Sequence, residues 1–165
     1  KPFREVTRDG LLDGVVQNMA TPLELVQRVV DGMIERRFGR IVNITSASVV
    51  TPLTGLDVSS AARAGLTAFL SGVAREVAHA NVTINNILPG MFDTDRLKSS
   101  TAKMAAMEKT TPEEAASRRK ASVPAGRFGT ADEFGKLCAF LASAHAGYIT
   151  GQNFLIDGGS FRGTF

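Results

Sequence analysis

The sequence has one cysteine, one tyrosine and no tryptophan in 165 residues. A lone cysteine excludes an internal disulfide, and Cys138 lies in the apolar stretch KLCAFLA, where a small buried hydrophobe is expected rather than a nucleophile. No apolar run approaches the roughly 18 residues needed to span a bilayer, and the opening KPFREVTRDG is too polar to read as a signal peptide. A cytoplasmic protein without membrane contact is expected. His79 and His145 have no ligand-spaced partners, so both are read as surface residues and no metal site is expected. Charge of one sign is scarce as well. Nineteen Lys and Arg against 16 Asp and Glu leave a net charge of +3, without the basic block or interleaved aromatics of a nucleic-acid binder. The remaining balance, 44% hydrophobic and 21% charged, suits one globular domain with a single core.

Apolar residues recur at helical spacing from 9 to 37, through Leu12, Val15, Val16, Met19, Leu23, Val26, Val30 and Ile34. Thr21, Pro22 and Glu24 have the pattern of a capping box with proline at the first helical position, so this stretch is either two helices or one helix kinked near Asn18. Arg40 to Thr45, RIVNIT, is a β-branched run of the kind buried on both faces of a parallel sheet. Ala62, Leu66, Phe69, Val73 and Val77 predict a helix over 58–77 with that stripe inward, and Val82 to Leu88 predicts a strand ending at Pro89 and Gly90. Residues 91–125 form a polar excursion outside the core, with a second capping box at Thr111, Pro112 and Glu114. Thr130 and Glu133 open a further helix to about Ala142, and Asn153 to Ile156 is a last strand before Asp157, Gly158 and Gly159. Strands alternating with crossover helices imply an α/β domain with a parallel sheet covered by helices.

Five segments at consistent spacing resemble the short-chain dehydrogenase/reductases, over about Asn18 to Gly159. GRIVNITSAS resembles the family strand whose final serine, here Ser46, hydrogen-bonds the substrate carbonyl. Thirteen and seventeen residues on, where the family keeps its catalytic tyrosine and lysine, stand Ser59 and Arg63, followed by the family's Ala-Gly. NNILPGMFDTD resembles the family turn with Pro89, Gly90 and Thr94, and YITGQNFLIDGG its closing strand. Asn18 falls where the family has an active-site asparagine in a helix kink. The resemblance implies a Rossmann-type doubly wound parallel sheet and a nicotinamide cofactor, NAD or NADP. It implies Asn18, Ser46, Ser59 and Arg63 as the catalytic set, and Arg63, Pro89, Gly90, Phe92 and Thr94 as cofactor contacts. The family's Gly-rich turn has no counterpart before residue 18, so residues 1–165 are expected to be the C-terminal part of one dinucleotide-binding domain. The apparently missing N-terminal βαβ part would add roughly 80 to 100 residues. The one tyrosine, Tyr148, belongs to the closing segment and is expected to pack against the last strand with its hydroxyl outward.

In the family as the resemblance implies it, hydride passes between nicotinamide and a carbonyl carbon while the tyrosine exchanges the proton at oxygen. Serine is far less acidic than a phenol, and Arg63 stays charged and cannot relay a proton. Three arrangements remain open. Ser46, Ser59 and Arg63 bind the substrate oxygen and a proton-carrying water; or Asp57 serves as acid/base in place of capping its helix; or the site binds dinucleotide and works by association without turnover. The plain alternative makes Ser59 and Arg63 a small helix residue and a solvated arginine. The segment 93–127 holds Arg96, Lys98, Lys103, Lys109, Arg118, Arg119, Lys120 and Arg127 against five acids. That excess suits a phosphorylated acyl carrier such as coenzyme A or carrier protein, or else belongs to ordinary charged helices. The expected activity is reduction of a carbonyl, or oxidation of a secondary alcohol, on a small molecule or a 3-oxoacyl thioester. A homodimer or homotetramer is expected, because the 56–79 helix is apolar nearly all round.

Overall fold

The computed structural model describes residues 2–164. Helix α1 (Arg8–Val15) runs into one π turn (Val16–Ala20) and continues as α2 (Thr21–Glu35). The expected capping box at Thr21 does not form: Thr21 is itself helical, at φ −57° and ψ −47°, and its N–H reaches back to the Val16 carbonyl. Pro22 explains the π turn, since it has no N–H to give the carbonyl four residues before it, that of Asn18. One continuous helical run, with a π turn around Asn18, is therefore the form adopted.

Strand β1 (Gly39–Ile44), helix α3 (Asp57–Val77), strand β2 (Val82–Pro89), helices α4 (Asp95–Glu108), α5 (Pro112–Ala121) and α6 (Ala131–Ala142) and strand β3 (Asn153–Ile156) follow in chain order. The three strands are parallel in the order β1-β2-β3, Gly39 opposite Val82 and Asn86 opposite Asn153. The central strand β2, not β1, is the one buried along both faces: every residue from Val82 to Leu88 is buried, whereas β1 is half-buried and ends on an exposed Ile44. Asn85 ties β2 to the closing segment, donating to the Ile149 carbonyl at 2.8 Å and accepting from the Gln152 N–H at 3.1 Å.

The core lies between β2 and α3, where Val82 and Ile84 meet Leu66, Leu70, Ala74 and Val77, with Val26 of α2 closing the cluster. The inward stripe of α3 is thus Ala62, Leu66, Leu70, Ala74 and Val77; Phe69, expected inside, is 52% exposed. A helix apolar on several faces presents more than one plausible stripe, and packing against the sheet chooses between them. Tyr148 is a second correction: it is fully exposed and packs on nothing. Cys138 is half-buried, not a core residue. The polar excursion is α4 and α5, which pack on each other and bury only Thr101, Ala105 and Ala115.

The capping box expected at Thr111/Glu114 is present, and Thr130 and Glu133, expected to open a helix, form a second one. Glu133 does more than cap. Its carboxylate accepts from Thr130 N–H and Oγ–H at 2.8 and 3.0 Å, and from both terminal nitrogens of Arg127 at 2.6 and 2.9 Å. The Arg127 and Thr130 hydrogen bonds lower its pKa to about 2. A carboxylate depressed on folding stabilises the fold above its unfolded pKa, and that contribution is lost as pH falls through the folded value. The stability difference between wild type and Glu133→Gln is therefore expected to be constant above about pH 4.5 and to shrink as pH falls toward 2. Urea denaturation across that window checks it; a pH-independent difference would refute the assignment.

Candidate active site

Parallel α/β sheets bind ligands at the carboxyl ends of their strands. Here those ends open on a cleft of about 740 Å³, within the usual range for small-molecule sites. One wall comes from the end of β1. Ser46 is extended, at φ −167° and ψ 148°, and its Oγ accepts from the Ser48 N–H at 3.1 Å, turning the chain into a short 3-10 segment (Ala47–Val49). The first turns of α3 lie beside it with Ser59 and, one turn on, Arg63.

Arg63 is not a solvated arginine. Its Nε donates to Ser59 Oγ at 3.2 Å, and Nη1 donates to the Ile44 and Thr45 carbonyls at 3.2 and 3.0 Å. These bonds fix the guanidinium across the end of β1 and leave Nη2 without a partner among the described residues. Partial burial lowers its pKa, with the positive charge of Arg96 adding to the effect.

The opposite wall is the Pro89–Gly90 turn. Gly90 N–H donates to the Ile156 carbonyl at 2.9 Å, and a Cβ on Gly90 would lie 2.7 Å from Asp157 Cβ, so only glycine lets β2 and β3 close there. Phe92 forms an isolated bridge to Gly129 and packs edge-on against Phe134, 5.6 Å between centroids. Thr94 caps α4, its Oγ1 accepting from the Leu97 N–H at 3.2 Å.

Ser46, Ser59, Arg63, Pro89, Gly90, Phe92 and Thr94 therefore line one cleft. Asn18 does not. It lines an adjoining cavity of about 280 Å³ that shares Ser59 and Leu56 with the cleft, and its Nδ2 donates to the Gly14 carbonyl at 3.0 Å. Asp57, in the exposed first turn of α3, borders that smaller cavity. Among the described residues, no group of three or more His, Cys, Asp or Glu could hold a metal ion.

Two cleft arginines, Arg96 and Arg119, were read from the sequence only as part of the positive charge of segment 93–127 and not as site residues. Arg119 Nη1 donates to Ser100 and Thr101 hydroxyls at 2.9 and 2.7 Å, joining α5 to α4. Arg96 carried a usable signal, since a cation in the first turn of a helix sits at the unfavourable end of the helix dipole. Three of the other cations around it are paired with local acids: Lys98 with Asp93 and Asp95, Arg118 with Glu108, Arg127 with Glu133.

This arrangement of a serine at the end of one strand, a helix bearing residues four apart, and a Pro-Gly turn at the end of the next strand has a family. A family model described as enoyl-(acyl carrier protein) reductase matches residues 1–160. The chain belongs to the short-chain dehydrogenase/reductase family. The 3-oxoacyl-(acyl-carrier-protein) reductase FabG of Vibrio cholerae is 35% identical, covering 94% of this chain and 63% of the relative. The acetoacetyl-CoA reductase of Cupriavidus necator is 34% identical over 98% of this chain and 61% of its own length. The chain thus spans about three fifths of the curated relatives it matches. Among solved structures, YwfH, an NADPH-dependent reductase involved in bacilysin biosynthesis, superposes with a TM-score of 0.92 at 29% identity, over 99% of this chain and 63% of that one. An F189W variant of actinorhodin polyketide ketoreductase with NADPH gives 0.89 at 28% identity, over 99% and 65%. The Rossmann-type reading of the sheet agrees with these short-chain dehydrogenase/reductase structures.

Proposed function

We propose that this chain carries the substrate-facing part of an NAD(P)-dependent oxidoreductase that reduces a carbonyl of the 3-oxoacyl kind to a secondary alcohol. The observation that carries the reading is the convergence of Ser46, Ser59 and the clamped Arg63 on one wall of the cleft, facing the Pro-Gly turn. The relatives support it: they are 3-oxoacyl and acetoacetyl thioester reductases, and three structural neighbours are NADPH or NADP proteins.

The residues fit a nicotinamide nucleotide. Arg63 Nη2 offers two unspent N–H groups where a ribose hydroxyl can accept them, and Thr94 and Gly90 bound the opposite side. When bound, that group supplies the hydride. The chain's own residues bind the carbonyl oxygen and stabilise the charge that develops on it: Ser46 and Ser59 by their hydroxyls, Arg63 by its fixed positive charge. Arg63 keeps its proton throughout, so the proton that reaches the alkoxide comes from water. Half-buried Asn18 borders the cavity behind Ser59, a site for such a water. Without a phenol, turnover is expected to be slow, by about 10² to 10⁴ relative to a positioned general acid. The chain is proposed to act as a homodimer or homotetramer.

Cofactor affinity tests the reading. Arg63→Ala is expected to weaken NADP(H) binding about 10- to 100-fold, the worth of a lost charged hydrogen bond, and Thr94→Val to weaken it less. Thr94→Val also removes a helix cap, so melting temperature is measured alongside. Unchanged calorimetric titrations for both variants would overturn the site assignment.

A further inference from the structure

Arg63 and Arg96 both line the cleft, and the one carboxylate side chain among its lining residues is Asp157. Arg63 stands on its floor, its charge fixed by the Ile44, Thr45 and Ser59 acceptors. Arg96 reaches the same cleft from the first turn of α4 and has neither a hydrogen bond nor an ion pair among the described residues. The acids nearby are committed elsewhere. Asp157 accepts from the Gly159 and Phe161 N–H groups at 2.9 and 2.7 Å, and Asp93 and Asp95 face Lys98 outside the cleft wall. Leu53, Leu56, Phe92 and Leu97 make much of the remaining lining apolar, which strengthens any charge interaction inside. Two like charges facing one space repel; an oxyanion placed between them turns that repulsion into two charge-assisted contacts.

We propose that Arg63 and Arg96 together bind the carboxylate of an oxo acid, a substrate whose ionised carboxyl group lies a few bonds from the carbonyl being reduced. The proposal rests on the reading of the cleft as a carbonyl-reducing site and narrows its substrate class. Position is the argument. Arg63 touches Ser59 and lies beside Ser46, so an anion it binds sits next to the reacting carbonyl. A thioester presents an uncharged group there, and the nearest phosphate of an extended coenzyme A arm lies roughly 15 Å further out on standard bond lengths. Of the lid cations that would attract that phosphate, Lys98, Arg118 and Arg127 are paired with Asp93, Asp95, Glu108 and Glu133, and Arg119 is held by the Ser100 and Thr101 hydroxyls. Arg63 has an N–H for the ribose and another for the carboxylate, and Arg96 supplies the second cation.

The test uses the intact protein with acetoacetate and methyl acetoacetate, which share a carbon skeleton and differ in charge. Wild type is expected to favour the acid in kcat/KM. In Arg96→Gln the acid-to-ester ratio is expected to fall about 10- to 100-fold, mainly through the KM for acetoacetate, with partial recovery in Arg96→Lys. Preference for the ester, an unmoved ratio, or a calorimetric loss of NADPH affinity as large as the change in KM would each overturn the proposal; the last would assign Arg96 to a cofactor phosphate. If neither compound is reduced with either cofactor, the reductase reading fails by itself. The carboxylate site then stands only if acetoacetate raises the melting temperature of wild type with NADP⁺ but not of Arg96→Gln, and falls if it does not.

Discussion

Replacing Ser59 with tyrosine and Arg63 with lysine together is expected to raise carbonyl reduction by about 10²- to 10⁴-fold, the usual contribution of a positioned general acid. Ser59 opens onto a cleft of about 740 Å³, so a phenol at this position has room to reach past the serine oxygen toward the Ser46 side. A lysine one helical turn later lowers the phenol pKa from its reference near 10 by placing a cation beside the phenolate. Arginine in that place does the electrostatic part and withholds the proton, because it does not titrate in any useful range. The exchange has a structural cost that separates it from a general improvement. Arg63 bonds residue 59 from Nε and the Ile44 and Thr45 carbonyls from Nη1, and a lysine, with one nitrogen, cannot hold both sides at once. Each lost bond is worth about 0.5 to 1.5 kcal/mol, so the double variant should be faster and less stable. Initial rates of NADPH oxidation and a urea titration read the two effects separately. The idea fails if wild type already reduces simple ketones at about 10 s⁻¹, the median for enzymes, or if the double variant gains nothing.

Ala68→Arg is expected to convert an assembly into monomers that stay folded. The face of α3 turned away from the core carries Ala61, Ala68, Phe69 and Gly72, all exposed, and Phe69 is a large apolar ring 52% open to solvent. On α2, Leu25 and Val29, one turn apart, are 61% and 44% exposed. Nothing stands within 4 Å of the place a Cβ would take on Gly72, so another backbone could approach closely there. Helices with small residues at the contact pack at the short end of the usual 8 to 10 Å, and in a two-fold interface each substitution appears on both sides. An arginine at 68 therefore brings two buried like charges together while leaving Leu66, Leu70 and Ala74 untouched. Light scattering at micromolar concentration reads the mass and circular dichroism the fold. A monomeric wild type would end the proposal.

Features that depend on a few neighbouring residues were legible in the sequence. The capping boxes at Thr111/Glu114 and Thr130/Glu133 are contacts between residues three apart, and β3 is bounded as its apolar run indicates. The spacing from Ser46 to Ser59 to Arg63, and from Gly90 to Thr94, is a property of the chain, and the cleft brings all five together. Even at short range one pattern misled, because two local interactions competed. Thr21 has the letters of a cap, yet the missing Pro22 N–H is absorbed by a π turn within one continuous helix.

The α/β class, the starts of α5 and α6 and the frame of the site follow from the sequence by itself, because hydrogen bonding within a turn and the alternation of strand and helix are set by near neighbours. Tertiary structure alone decided which stripe of α3 meets β2, placing Leu70 inside and Phe69 outside, since the helix offers apolar residues on both sides. It also decided that Asn18 faces the smaller cavity, and that Arg63 spends three hydrogen bonds on β1 and Ser59 while Arg96 faces it unpaired. The Ser59 bond apart, those facts depend on groups 18 or more residues apart in the chain, and only the closed sheet sets their distances.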